Sequence, residues 1–118
     1  MSKILLVEDE KLLREMYADK FEKEGIEVLK AKDANEAFSI LKTITPDLVL
    51  LDVLMPRESG IEALKRIKEV YKNLKVVVFS NLDDPNAKKK VKALKGEDYL
   101  IKTNFTPKEL IKKIKTYL

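Results

Sequence analysis

The sequence lacks the residues that most often form covalent crosslinks and bind soft metals. Its 118 residues include no cysteine and no histidine. Disulfide bonds are therefore excluded, and a metal site would be built from oxygen ligands, which suit magnesium better than zinc. The only glycines are Gly25, Gly60 and Gly96. They cannot form a glycine-rich phosphate-binding loop, which argues against a nucleotide-binding protein.

Long apolar runs are absent as well. Met1–Lys3 lead directly into a short apolar segment without the features of a signal peptide. No apolar stretch approaches the roughly 20 residues that a membrane-spanning helix needs. We therefore expect a soluble cytoplasmic protein that does not associate with membranes. A chain of 118 residues has the size of one ordinary domain, which we place at residues 1–118.

Charge is distributed unevenly along the chain. Residues 86–118 contain ten of the 24 basic side chains but only three of the 20 acidic ones. All ten are lysines, and no arginine follows Arg66. Because direct readout of DNA bases depends heavily on arginine, we expect no direct nucleic-acid binding. The lysines form either a solvated helix surface or a contact for an acidic partner.

Polar side chains follow four short apolar runs. The runs are too short for helices and are separated by helix-length segments, which predicts buried parallel strands. Glu8 and Asp9 follow Ile4–Val7, Asp52 follows Leu48–Leu51, Ser80 follows Val76–Phe79, and Lys102 follows Tyr99–Ile101. In open parallel sheets, ligands bind beyond the carboxyl ends of the strands. We therefore expect these polar side chains to meet at one site.

Helical periodicity and capping residues occupy the segments between the strands. The first helix is predicted from a stripe formed by Leu12, Leu13, Met16, Tyr17 and Phe21, ending at Gly25. Later helix starts are marked by Asp33 with Glu36, by Asp84 before Pro85, and by Thr106 with Glu109. Five alternations of strand and helix predict an α/β fold with a doubly wound parallel sheet. Periodicity does not determine the strand order.

The three carboxylates of the predicted site need a counter-charge. At 4–5 Å and an effective dielectric constant near 20, each pair repels by about 3–4 kcal/mol. A hard divalent cation such as Mg²⁺ offsets this repulsion directly. Taken singly, Asp52 could as well be a structural acid paired with a cation. Lys102 alone would more simply be explained as a surface lysine, and Ser80 alone as a turn residue. Only their joint pattern favours a functional site.

Together these residues resemble the bacterial response-regulator receiver domain. The resemblance rests on Glu8-Asp9, Asp52–Gly60, Ser80, Tyr99 and Lys102, and it extends from Lys3 to Leu118. It implies a flavodoxin-like fold, with helices on both faces of a five-stranded sheet in the order 2-1-3-4-5. It also implies two-component signalling by a single domain similar to chemotaxis regulators. Such a domain promotes its own phosphorylation and is not otherwise an enzyme.

The resemblance implies roles for individual residues. Asp52 would accept the phosphoryl group, and Lys102 and Ser80 would bind its oxygens. The implied Mg²⁺ ligands are Asp9 and Asp52 directly, Glu8 through water, and the backbone carbonyl of Leu54. Ser80 and Tyr99 would form a conformational switch, with packing at an edge strand as the alternative for Tyr99. The implied donor is a histidine kinase or a histidine phosphotransfer protein, and the basic C-terminal helices are the candidate contact for an unknown output protein.

Other functions fit parts of the pattern. The main alternative is a receiver domain taken from a longer DNA-binding transcriptional regulator. An unphosphorylated adaptor would be favoured if the acids or Lys102 were missing, and they are present. A haloacid-dehalogenase-like phosphatase needs a second aspartate two residues after its nucleophile, where this chain has Leu54.

Departures from the receiver pattern affect details of the site. Thr103 follows Lys102 where proline is usual, so we expect a trans peptide there. The segment before Tyr99 is shorter than usual, which leaves the end of the fourth helix open. Leu54 and Leu82 occupy positions whose side chains influence the hydrolytic water in similar receivers. Both are apolar, so we expect slow loss of the phosphoryl group.

Overall fold

The computed structural model describes residues 1–54 and 59–118. Met55-Pro56, which we expect to shape the loop after the third strand, lies outside these residues. The strands are β1 (Lys3–Val7), β2 (Glu27–Ala31), β3 (Leu48–Leu51), β4 (Val76–Ser80) and β5 (Asp98–Ile101). They form one parallel sheet in the order β2-β1-β3-β4-β5. This order and the doubly wound architecture confirm the prediction.

Helices alternate with the strands throughout the described part of the chain. They are α1 (Lys11–Lys23), α2 (Ala34–Leu41), α3 (Gly60–Val70), α4 (Pro85–Ala93) and α5 (Pro107–Lys115), with a 3₁₀ turn at Lys102–Asn104. No helix among the described residues has both the length and the apolar character needed to cross a bilayer.

Two apolar cores lie on opposite faces of the sheet. One contains Ile4, Leu6 and other strand residues packed against α1 and α5, and the second contains Leu5, Val7 and others packed against α2, α3 and α4. Successive side chains of a strand point to opposite faces, so neighbouring residues enter different cores. Because β1, β3 and β4 are covered on both faces, their sequences are continuous apolar runs without polar alternation.

Capping bonds explain where the helices begin. The Asp33 carboxylate accepts a hydrogen bond from the Glu36 amide at 2.9 Å. The Asp84 side chain caps α4, and Thr106 forms a complete capping box with Glu109 at the start of α5. These starts match the sequence prediction.

The predicted stripe of α1 was wrong at Leu12, whose side chain is 85% exposed. Tyr17 and Phe21 are buried as predicted. Leu13 lies four residues before Tyr17 and shares its side of the helix, whereas Leu12 is rotated away by a further 100°. The exposed Leu12 is therefore a consequence of helix geometry.

The end of α4, which the sequence left open, is a Schellman motif. The Lys95 and Gly96 amides donate to the carbonyls of Lys92 and Val91 at 3.0 and 2.9 Å. Lys95 adopts a left-handed conformation with φ of 65°. A side chain on Gly96 would put a Cβ 2.5 Å from Val91 Cγ1. The glycine thus serves close packing, while a lysine occupies the strained position.

Candidate functional site

The polar residues predicted to form a site meet at the carboxyl edge of the sheet. Glu8 and Asp52 directly follow β1 and β3, Ser80 ends β4, and Lys102 opens the turn after β5. Among the described residues, these four are the polar or charged side chains that are buried. The buried polar groups of the fold are therefore concentrated at this one place.

Three carboxylates form a cluster at this edge. One oxygen each from Glu8, Asp9 and Asp52 lies within 4.8 Å of the others, with Glu8 and Asp52 buried and Asp9 exposed. Oxygen ligands at this separation fit a hard divalent cation. Asp9 is the exposed member of the cluster, so an ion can enter the cluster from solvent at this residue.

Lys102 supplies a positive charge within the cluster. Its Nζ donates to Asp52 Oδ2 at 2.8 Å and also to Glu8 Oε1. The counter-charge predicted from the sequence was a metal, but the ammonium group already offsets part of the repulsion. No described peptide bond is cis, which confirms the expected trans Lys102–Thr103 bond.

Burial and ion pairing shift the pKa values of this cluster. Burial raises the pKa of Glu8 above its ordinary value, and the hydrogen bond from Lys102 only partly counters that effect. Burial acts to lower the pKa of Lys102, but hydrogen bonds to Asp52 and Glu8 outweigh it and raise that pKa. Lys102 therefore stays charged at neutral pH, and Glu8 takes up a proton more readily than an exposed glutamate.

The Asp52 carboxylate is held at both oxygens. Oδ2 accepts from Lys102, and Oδ1 accepts from the Leu54 amide at 2.8 Å. These bonds fix the direction of the carboxylate. Leu54 itself is 49% exposed. The predicted metal ligation by the Leu54 carbonyl stays a prediction.

Ser80 and Tyr99 are connected through Leu82. The Leu82 amide donates to Ser80 Oγ at 3.2 Å, and the Tyr99 hydroxyl donates to the Leu82 carbonyl at 2.5 Å. The half-buried Tyr99 ring packs against the core formed with α2, α3 and α4. Burial raises the pKa of Tyr99. The ring thus has both the packing role and a polar link to the residue that contacts Ser80.

Arg14 was not predicted from the sequence as a residue of this site. Its Nη1 donates to the backbone carbonyls of Glu8 at 2.7 Å and Asp9 at 3.3 Å. The one sequence signal was an arginine within the first turns of the helix that follows an acidic pair. That signal is weak because the side-chain direction depends on how α1 packs.

Comparison with known proteins identifies similar sequences. A model of the response regulator receiver domain matches residues 4–115. The phosphate regulon transcriptional regulatory protein PhoB of Pseudomonas aeruginosa is 33% identical over 98% of this chain and 51% of its own length. Response regulator RR06 of Streptococcus pneumoniae is 35% identical over 98% of this chain and 52% of its own length. The chain thus spans about half the length of these curated relatives.

Solved structures agree with the sequence matches. The Vibrio cholerae chemotaxis protein CheY4 has a TM-score of 0.93 at 29% identity, covering 100% of this chain and 99% of that one. The response regulator TrrA of Thermotoga maritima, solved in complex with Mg²⁺-BeF, has a TM-score of 0.88 at 30% identity and covers 100% of both chains. With a family match over most of its length and the same fold, this chain belongs to the response regulator receiver domain family.

Proposed function

We propose that Asp52 accepts a phosphoryl group from a histidine kinase or a histidine phosphotransfer protein. The observation that carries this proposal is the environment of the Asp52 carboxylate. It is buried, bonded to Lys102 at 2.8 Å, and clustered with the carboxylates of Glu8 and Asp9. An aspartate between a fixed cation and a candidate metal site has the surroundings that phosphoryl transfer needs.

The reaction forms one bond and breaks another. An Asp52 carboxylate oxygen attacks phosphorus, and the P–N bond to the donor imidazole breaks with its electron pair remaining on nitrogen, which takes a proton. The Lys102 ammonium and the Ser80 hydroxyl bind phosphoryl oxygens. Mg²⁺, when bound, neutralises charge on the phosphoryl oxygens. We assign its ligation to Glu8, Asp9, Asp52 and the Leu54 carbonyl.

Signalling follows from the connection between Ser80 and Tyr99. When Ser80 turns toward a phosphoryl oxygen, it gives up its bond from the Leu82 amide. Tyr99 bonds the carbonyl of the same residue at 2.5 Å, so movement of Leu82 changes the position of the ring. We propose that this change reaches the surface of α4, β5 and α5, where the lysine-rich helices contact an acidic output partner.

The test uses acetyl phosphate as a small donor with MgCl₂ and intact-mass detection. The wild-type protein should gain one phosphoryl group, and Asp52→Ala should gain none, because the proposal assigns the acceptor role to Asp52 and not to the other clustered acids. Asp19→Ala is the matched control, since Asp19 is an exposed acid of α1 paired with Lys23. Undiminished labelling of Asp52→Ala would contradict the assignment.

Magnesium binding has its own test. A ligand that binds only the folded state raises the melting temperature by mass action. MgCl₂ should therefore stabilise the wild-type protein, and Asp9→Asn should reduce this response because Asp9 is the exposed acid of the cluster. Equal responses of the two proteins would remove Asp9 from the site.

A further inference from the structure

The loop between β1 and α1 carries two of the clustered acids, Glu8 and Asp9. Hydrogen bonds from backbone and side-chain groups hold the backbone of this loop. The Glu8 amide donates to the Ala31 carbonyl at 3.0 Å, which continues the pairing of β1 with β2. The Glu10 amide donates to the Glu8 carboxylate at 3.2 Å. Arg14 then reaches back from α1 and donates from Nη1 to the carbonyls of Glu8 and Asp9. Arg14 is half-buried, and its side chain joins both peptide groups.

We infer that Arg14 is a positioning residue for the cation site, on the basis of the function proposed above. By holding the Glu8 and Asp9 carbonyls, it fixes the peptide orientations from which both carboxylates extend toward Asp52. Groups that orient metal ligands without contacting the metal strongly affect affinity. The exposed Asp9 depends most on this restraint, since burial does not hold its side chain.

Charge alone predicts the opposite effect of the same arginine. A guanidinium beside the carboxylate cluster repels an incoming divalent cation. If Arg14 acted only through its charge, its removal would tighten magnesium binding. If Arg14 acts by holding the two carbonyls, its removal weakens binding because the loop must then be ordered when the cation binds. The sign of the change distinguishes the two roles.

Calorimetric titration with MgCl₂ in the absence of a phosphodonor measures this sign. Arg14→Met should bind magnesium about 10-fold more weakly than the wild type, as found for residues that orient metal ligands. Lys11→Met is the matched control, because it removes the same charge from the exposed first residue of α1. This control should bind as tightly as the wild type or more tightly. Unchanged or tighter binding by Arg14→Met would overturn the inference.

Phosphorylation by acetyl phosphate supplies a second measurement. For Arg14→Met, the magnesium concentration giving half-maximal rate should rise by about the same 10-fold factor. The rate at saturating magnesium should return to the wild-type value, because Asp52 and Lys102 are unchanged. A variant that stays slow at saturating magnesium would indicate general disruption of the site and would also overturn the inference.

A charge-preserving variant covers the case in which Arg14→Met does not fold. Arg14→Lys keeps the charge, but its ammonium lies one bond closer to the backbone and loses reach to the carbonyls. Weaker magnesium binding is expected, and unchanged affinity would refute positioning. Failure of the wild-type protein itself to bind magnesium would count against the proposed function as well. The wild-type protein could instead bind magnesium and become labelled at Asp52 while the Arg14 variants keep the wild-type magnesium affinity. That result would count against this inference alone.

Discussion

Replacing Lys102 by methionine tests the electrostatics of the site most directly. Lys102 is 9% exposed and bridges Glu8 and Asp52, which are 2% and 6% exposed. Lys102→Met keeps most of the side-chain volume and removes the charge. Two buried carboxylates then face each other without their shared partner. We expect the metal-free variant to be considerably less stable than the wild type.

The magnitude follows from the burial of the three groups. Breaking a buried ion pair by removing one partner costs about 3–5 kcal/mol. The pKa of Glu8 is already raised by burial, so this carboxylate can take up a proton and relieve part of the repulsion. We therefore expect a loss of about 3 kcal/mol in the free energy of unfolding. For a domain of this size, that corresponds to a fall of roughly 10 °C in melting temperature.

Urea denaturation followed by circular dichroism at pH 7 with EDTA is the assay. The double variant Lys102→Met with Glu8→Gln should be more stable than Lys102→Met, because one unpaired buried charge is gone. MgCl₂ should stabilise Lys102→Met more than the wild type, since a cation replaces the missing charge. A loss below about 1 kcal/mol in the single variant would refute the bridging role of Lys102.

The pH dependence of this effect has a defined sign. The pKa of Lys102 in the folded protein is raised above its ordinary value of 10.5. Its stabilising contribution is therefore fully present below pH 10.5 and is lost as the pH rises through the folded-state pKa. The stability difference between wild type and Lys102→Met should stay constant from pH 7 to about 10 and shrink above that range.

Three further changes have expected outcomes. Lys95→Gly should raise the free energy of unfolding by about 1 kcal/mol in urea denaturation, because a non-glycine residue with positive φ is strained; no gain would contradict this. Tyr117→Phe removes the hydrogen bond to the Asp98 carboxylate and should cost about 1 kcal/mol. Burial raises the pKa of Tyr117 well above 10.0, so the stabilisation by this hydrogen bond is fully present below pH 10.0 and is lost as the pH rises toward the folded-state pKa. If the wild type and Tyr117→Phe lost stability equally at alkaline pH, this role of the Tyr117 hydroxyl would be refuted. Leu54→Asn with Leu82→Glu should speed loss of the phosphoryl group by about 100-fold, because polar side chains can orient water; a double variant no faster than wild type would show that these residues do not control it.

The fold was largely predictable from the sequence. The features that indicate its helices are local, and the features that indicate its strands follow from burial of the sheet on both faces. Continuous apolar runs such as Leu48–Leu51 indicate strands covered by helices on both sides. Capping pairs such as Thr106 with Glu109 mark helix starts within four residues of sequence. A polar residue at the carboxyl end of four of the strands then predicts where the site lies. The strand order came from the family resemblance, because periodicity carries no information on which strands are neighbours.

The exact contacts of the site depended on tertiary packing. Lys102 and Glu8 are 94 residues apart in sequence, so nothing local indicated that one ammonium would bridge Glu8 and Asp52. The proximity of the three acids was predicted correctly, but the offset of their charge was assigned to a metal alone. The carbonyl contacts of Arg14 and the exposure of Leu12 likewise depend on the rotation of α1 against the sheet.

The order of the amino acids is enough to predict which segments become strands and helices and which polar groups lie at the strand ends. Those features arise from burial patterns and from bonds between near neighbours. Contacts among these polar groups are set instead by packing in three dimensions. Distances of a few ångströms between side chains from different strands depend on strand order, register and helix rotation together. A counter-charge such as Lys102 becomes evident when that packing brings it between two buried acids.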